Sequence, residues 1–285
     1  MNLGTNNVDP EKCLFYAKIK DGFIIQHLVA AISHINDQIR IQARPSEFEI
    51  QAHHKKTVNG AERMEIILHA FFNGNNFERY CCETPLTLDI TAKHFNSHVK
   101  DFKRKERIIL YIEDTPEPDT LHIVGESTVS DRDLKEEIRN SVAVCVMTRN
   151  HPKLYDTDLL ECLPDGSEIY GKNVTVRSSC YDRVKKLGKG DLDIAVQDDR
   201  YIQFRKTNKS MYSAGIKIGQ PIATMPIYQG TFNSNIFNIV TTLSKIKTEL
   251  FFYAPKYQDY PIKIVVPLTM IGECTIFVYP NEHEK

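Results

Sequence analysis

Residues 173–206 read NVTVRSSCYDRVKKLGKGDLDIAVQDDRYIQFRK. NVTV is a short alternating strand. In the helix that follows, SSCYDRVKKLGK, Cys180, Val184 and Leu187 fall on one face, the spacing of a half-buried helix. Gly188 or Gly190 is placed to end it. Two more alternating strands, LDIAVQ and YIQFRK, meet at Asp198-Asp199. The unit is strand, helix, turn, strand, turn, strand.

The same order occurs three more times without obvious identity of sequence. LFYAKIK leads through Asp21-Gly22 into IIQHLVAAISHI, where Ile25, Leu28, Val29 and Ile32 keep the helical period, and then into QIRIQA and EFEIQA. LTLDI leads to TAKHFNSHVKDFKRK, with Thr91 as cap and Phe95, Val99 and Phe102 inward, and then to RIILYIE and TLHIVGE. TMPIYQGTF leads to NSNIFNIVTTLSKIK, with Asn233 or Ser234 as cap and Ile236, Ile239, Val240 and Leu243 inward, and then to ELFFYA and PIKIVVP. RMEIILHAFF and SAGIKIGQ add a strand to each half. A repeated supersecondary unit constrains the fold more than any single element. Two units per half predict an α+β protein of two similar domains, each with two helices packed on antiparallel sheet. The stretch RNHPKLYDTDLLECLPDGSEIYG breaks the pattern. The expected division is an arm over 1–12, a domain over 13–148, a connector over 149–171 and a domain over 172–281.

Charge is segregated although it nearly cancels: 36 basic and 37 acidic residues give a net charge of −1. The outward face of the second helix and its extension carries Lys93, Lys100, Lys103, Arg104 and Lys105. The third carries Arg177, Arg183, Lys185, Lys186 and Lys189, and the fourth Lys245 and Lys247. The first offers His27 and His34. One basic helix face is usually just a solvated face. Several on pattern-related helices predict a positive surface that holds phosphates without reading bases.

The ordered series of elements resembles the PCNA (proliferating cell nuclear antigen) family of DNA sliding clamps. The resemblance rests on FYAKIKDGFIIQHLVAAI, on SSCYDRVKKLGKGDLDIAVQDDRYIQF through SAGIKIGQ, and on PIKIVVPLTMIGECTIFVYP. It implies a homotrimeric ring whose helices line a hole for double-stranded DNA. It also implies a clamp loader, and an outer pocket for the short peptide carried by DNA polymerase and other replication and repair proteins. The matching pocket positions are His53, Leu159, Leu160, Pro261, Phe277 and Pro280. Subunit contact is implied between edge strands holding Val142, Val144 and Val146 and those holding Ile216 and Ile218. The near-neutral charge, the arm and the inserted STVSDRDLKEEIRN depart from the family's pattern, as a divergent viral or protist member would.

No enzymatic constellation emerges, and no cofactor or metal is expected. His94 and His98 stand at i, i+4 without a third ligand in register. Gly188-Lys189-Gly190 follows a helix instead of opening one. The seven cysteines are scattered and odd in number, which points to a reducing compartment: a nucleus, or a cytoplasmic replication site for a viral protein. No apolar run is long enough to span a bilayer, so no membrane contact is expected. Three other readings stay open: a processivity factor of this fold that closes no ring, a subunit of a heteromeric checkpoint-type clamp, and an α+β enzyme whose site the sequence does not display.

Overall fold

The computed structural model describes residues 8–104, 106–116, 118–126, 137–143, 145–147, 154–188, 190–197, 199–207, 213–220 and 227–281. The first half contains β1 (Cys13–Ile19), α1 (Gly22–Ile32), β2 (Gln38–Arg44), β3 (Glu47–Val58), β4 (Ala61–Asn73), β5 (Arg79–Cys81), β6 (Leu86–Thr91), α2 (Ala92–Val99), β7 (Arg107–Glu113), β8 (Thr120–Glu126), β9 (Glu137–Ala143) and β10 (Cys145–Met147). The second contains β11 (Tyr170–Arg177), α3 (Ser178–Lys185), β12 (Asp191–Gln197), β13 (Tyr201–Thr207), β14 (Ser213–Ile218), β15 (Tyr228–Asn233), α4 (Ile236–Leu243), β16 (Glu249–Pro255), β17 (Ile262–Pro267) and β18 (Gly272–Val278). The expected arm is already structured at Pro10, which is buried in a short 3-10 turn over Pro10–Lys12 capped by the Asp9 carboxylate.

Among the described residues the strands form three sheets. Their orders are β5-β1-β7-β8-β9, β10-β6-β2-β3-β4-β18-β17-β16-β11 and β14-β13-β12-β15. The halves repeat one wiring plan. β2, β3, β4 and β6 pair as β12, β13, β14 and β15 do, and β1, β7, β8 and β9 pair as β11, β16, β17 and β18 do. Even the helix entries match. Gly22 N–H donates to Glu106 O and Ser178 N–H to Thr248 O, both at 2.7 Å. Ala92 N–H donates to Asp37 O at 2.7 Å and Ser234 N–H to Gly190 O at 3.0 Å. These carbonyls, each on the residue just before a strand, accept amide protons that a helix start leaves unpaired. Thr91, expected to cap α2, makes no side-chain cap bond. The Asn233 side chain accepts from Asn235 N–H at 3.0 Å, one step before α4.

The helices are shorter than the periodicity suggests. α2 stops at Val99, so Lys103 and Arg104 lie in the turn beyond it. On α3 the fully buried residue is Tyr181, beside Val184, while Cys180 and Leu187 only lean on the core. Tyr181 takes that place because its ring stacks on Phe252 at 6.2 Å and its hydroxyl donates to Val176 O at 3.0 Å. A buried phenol that keeps a hydrogen bond behaves as a core residue.

The halves are joined by β4 and β18, paired antiparallel from Gly272↔Phe72 to Val278↔Ile66. Alternate residues of this splice face opposite ways. Leu68 and Ile276 enter the main core with the helices, and Ile67 and Phe277 enter a separate cluster on the other face. Gly272 opens β18 where an added Cβ would sit 2.0 Å from Phe71 O. A Gly272→Ala protein should therefore lose about 1–3 kcal/mol in chemical denaturation. Gly171→Ala, which meets nothing within 4 Å, should stay within about 0.5 kcal/mol of the parent. Equal stability of the two variants would argue against close packing at the splice.

Candidate nucleic-acid interface and partner surface

The four helices lie in a row, α2 beside α1, α1 beside α4 and α4 beside α3. All ten described basic residues expected on this layer are exposed: Lys93, Lys100, Lys103, Arg104, Arg177, Arg183, Lys185, Lys186, Lys245 and Lys247. Lys105 and Lys189 lie outside the described residues. Lys93 pairs with Asp37 at 2.8 Å and Arg177 with Glu249 at 3.7 Å. Exposed pairs of this kind are worth about 0–1 kcal/mol, so the positions serve charge more than stability.

Arg104 ties the row together. Its guanidinium lies 4.7 Å from the centre of the Phe23 ring and donates to Lys245 O at 2.9 Å. On α1 the outward role expected of His27 is not observed. His27 is 8% exposed, its ring centre is 3.9 Å from that of Phe23, and its Nδ1 is 3.2 Å from Phe23 O. Burial first, then the nearby Lys245 and Arg104, push its pKa from 6.5 to about 4. His27 is therefore neutral at neutral pH and adds no charge to the layer. His34 is exposed.

The opposite face of the large sheet carries the second candidate site. Register places His53, Ile67, Phe277, Lys263 and Tyr253 in one row across β3, β4, β18, β17 and β16. The connector lies over this row and buries Leu160 with Ile67, Ile169, Tyr170 and Phe277. Gln51 pins it by accepting from Tyr155 N–H at 2.6 Å and donating to Tyr155 O at 2.9 Å. His69 bridges Thr157 Oγ1 at 3.1 Å and Glu49 at 2.9 Å. Lys263 Nζ donates to both Glu161 oxygens at 2.6 Å and lies over the Tyr253 and Tyr170 rings.

Of the six expected pocket residues, the structure brings Leu160 and Phe277 into this cluster and His53 into its row. Pro261 is buried and its carbonyl accepts from the Tyr170 hydroxyl at 3.0 Å. Leu159 points to solvent at 70% exposure, and Pro280 is half-buried at the end of the closing strand. Sequence reading missed the half-exposed rim of Met64, Leu163, Tyr253, Tyr260 and Tyr279. The alternation of β16 is the signal that could have found Tyr253, and Tyr279 follows β18 two residues after Phe277. Nothing local marked Met64 or Tyr260.

The expected contact stretch around 140–148 is not one strand. Val142 lies in β9, the edge of the five-stranded sheet, opposite Leu121. Val146 lies in β10, which crosses to the large sheet and pairs with Leu88. Val144 lies outside the described residues. Ile216 and Ile218 lie in β14, the edge of the four-stranded sheet. Among the described residues no group of three or more His, Cys, Asp and Glu side chains is placed to hold a metal. No helix there is long and apolar enough to cross a membrane.

Because folding lowers the His27 pKa, the unfolded chain binds more protons between pH 6.5 and pH 4. Its contribution to stability is full above pH 6.5 and is lost as pH falls to about 4. His27 should titrate near pH 4 by NMR. The parent should lose on the order of 2 kcal/mol more than a His27→Gln variant between pH 6.5 and 4. An ordinary His27 titration would contradict the buried, neutral assignment.

Comparison with known proteins agrees with this geometry. Residues 14–143 match the family model for the proliferating cell nuclear antigen N-terminal domain. The crystal structure of proliferating cellular nuclear antigen from Entamoeba histolytica superposes with a TM-score of 0.68, covering 95% of this chain and 100% of that one. At 11% identity that likeness is one of fold. A search of the curated proteins returns no match. The first half thus carries the N-terminal domain of the PCNA family of sliding clamps, and the two halves together share the fold of that solved structure.

Proposed function

We propose that this sliding clamp closes as a head-to-tail ring of three subunits, with the helix row facing duplex DNA. The carrying observation is the pair of unspliced half-sheets. Inside the chain, β4 of one half joins β18 of the other. By the repeated wiring, β14 stands for β4 and β9 for β18, and both are sheet edges. Copying the internal joint between subunits pairs them as the chain pairs itself. Such an unpaired edge is a template for another chain, and a head-to-tail contact that repeats with rotation makes a ring.

The copied joint has a register. Phe71↔Glu273 inside the chain maps onto Lys217↔Glu137 between subunits, and Ala70↔Cys274 maps onto Ile216↔Ile138. Three two-domain subunits close a circle when every joint turns the path by a sixth of a turn. The basic residues then hold phosphates without reading sequence.

The family's clamps are non-enzymatic, and we assign this one the same scaffold role, with domains over 13–148 and 172–281. The connector face takes short peptides from polymerases and other replication and repair proteins through its tyrosine-rich rim. A loader places the ring on DNA, at a nuclear or viral replication site.

Light scattering on a sizing column should give the mass of three chains. A single-chain mass would overturn the ring and favour an open processivity factor or a heteromeric clamp. A Glu137→Cys, Lys217→Cys protein should cross-link between subunits on oxidation, and Arg139→Cys, Lys217→Cys, out of register, should not. Equal cross-linking of both would sink the register. Replacing Lys100, Lys103, Arg183 and Lys186 with Ala should leave the fold intact and flatten the slope of log affinity against log salt by up to about 3–4. An unchanged slope would remove these residues from the DNA surface.

A further inference from the structure

Beside the β4–β18 splice, α1 of one half packs on α4 of the other, and a cleft opens next to them. This surface cleft of about 200 Å³ is lined by residues of both halves, among them His34, Ile35, Glu65, Asn233 and Ile236. Dispersion forces fix geometry only where atoms touch. Across the cleft, polar groups therefore add to the apolar α1–α4 contact in holding the angle. Three links do so. Tyr279 N–H donates to Glu65 O at 3.0 Å. Asn233 Nδ2 donates to Glu65 Oε1 at 3.4 Å, with His54 Nε2 3.6 Å from Oε2. Asn281, just after the last strand, makes three hydrogen bonds. Its N–H donates to Thr231 O at 2.6 Å, its Nδ2 donates to Asp191 Oδ1 at 2.9 Å, and its Oδ1 accepts from Lys56 Nζ at 2.7 Å.

The Asn281 contacts span the joint. Lys56 belongs to β3 in the first half, and Asp191 and Thr231 to β12 and β15 in the second. The repeated wiring shows where the segment comes from. In the first half the chain leaves β9 and crosses to β6, where Cys145 faces Asp89. In the second it leaves β18 and reaches β15 at Thr231, the counterpart of Asp89. The crossing that closes one sheet onto another is reused here, and Lys56 locks it to the other half.

We infer that Asn281 and Lys56 form a bolt that sets the angle between the two halves, and so the curvature with which subunits close. Asn281 is a positioning residue and touches neither the helix layer nor the connector cluster. The consequence for curvature rests on the ring reading, while the bolt itself does not.

The test uses full-length Asn281→Ala, Lys56→Met and the double variant. Hydrogen exchange should quicken about tenfold at the β4–β18 amides in each single variant, the loss of one charge-assisted hydrogen bond. Exchange at β2–β3 should not change. The double variant should be no faster than the worse single one, because both remove the same contact. The residence time of each variant on nicked circular DNA should shorten in the same order. Unchanged β4–β18 exchange, or fully additive effects, would overturn the bolt. Quickened exchange with an unaltered residence time would overturn its role in curvature. If the parent itself forms no ring, the ring reading fails and the exchange data still decide the bolt.

Discussion

The antiparallel pairing of β4 with β18 is the constraint on which the rest of the molecule depends. It turns two half-sheets from different ends of the chain into one surface. Backbone groups at a sheet edge must be paired or left in water. Once one β4-like strand has met one β9-like strand, two equivalent edges remain. The main core, the connector cluster and the row of helices are all arranged around this joint.

The joint also separates two kinds of chemistry. Strand alternation sends Leu68 and Ile276 to the helix side and Ile67 and Phe277 to the connector side. On the helix side, apolar contacts are used up against the sheet, so the outward faces are free to carry lysine and arginine. On the connector side, aromatic residues and one well-held ion pair, Lys263–Glu161, support a chain segment laid across the sheet. Charge contacts on the first side need no precise geometry, which suits the sequence-independent DNA contact proposed for it. The second side is anchored by Gln51 and His69.

The repeat, the α+β class and the outward position of the basic residues were legible in the sequence. The reason is that each depends on local periodicity. Ile25, Leu28, Val29 and Ile32 must face one way on any helix, and Lys100 or Arg183 must then face the other. Features that depend on partners distant in sequence came from the fold. His27 has the spacing of an outward residue, yet Phe23, Lys245 and Arg104 surround it and keep it neutral. Tyr181 displaces Cys180 from the core because Phe252 and Val176 O are there to receive it. The stretch around Val142 and Val146 reads as one strand, but two sheets compete for it and divide it. Asn281 is an unremarkable polar residue in the sequence and becomes a three-way link because Lys56, Asp191 and Thr231 converge on it. Periodicity is a property of neighbours along the chain, whereas burial, competition for sheet edges and hydrogen-bond convergence are properties of the folded assembly.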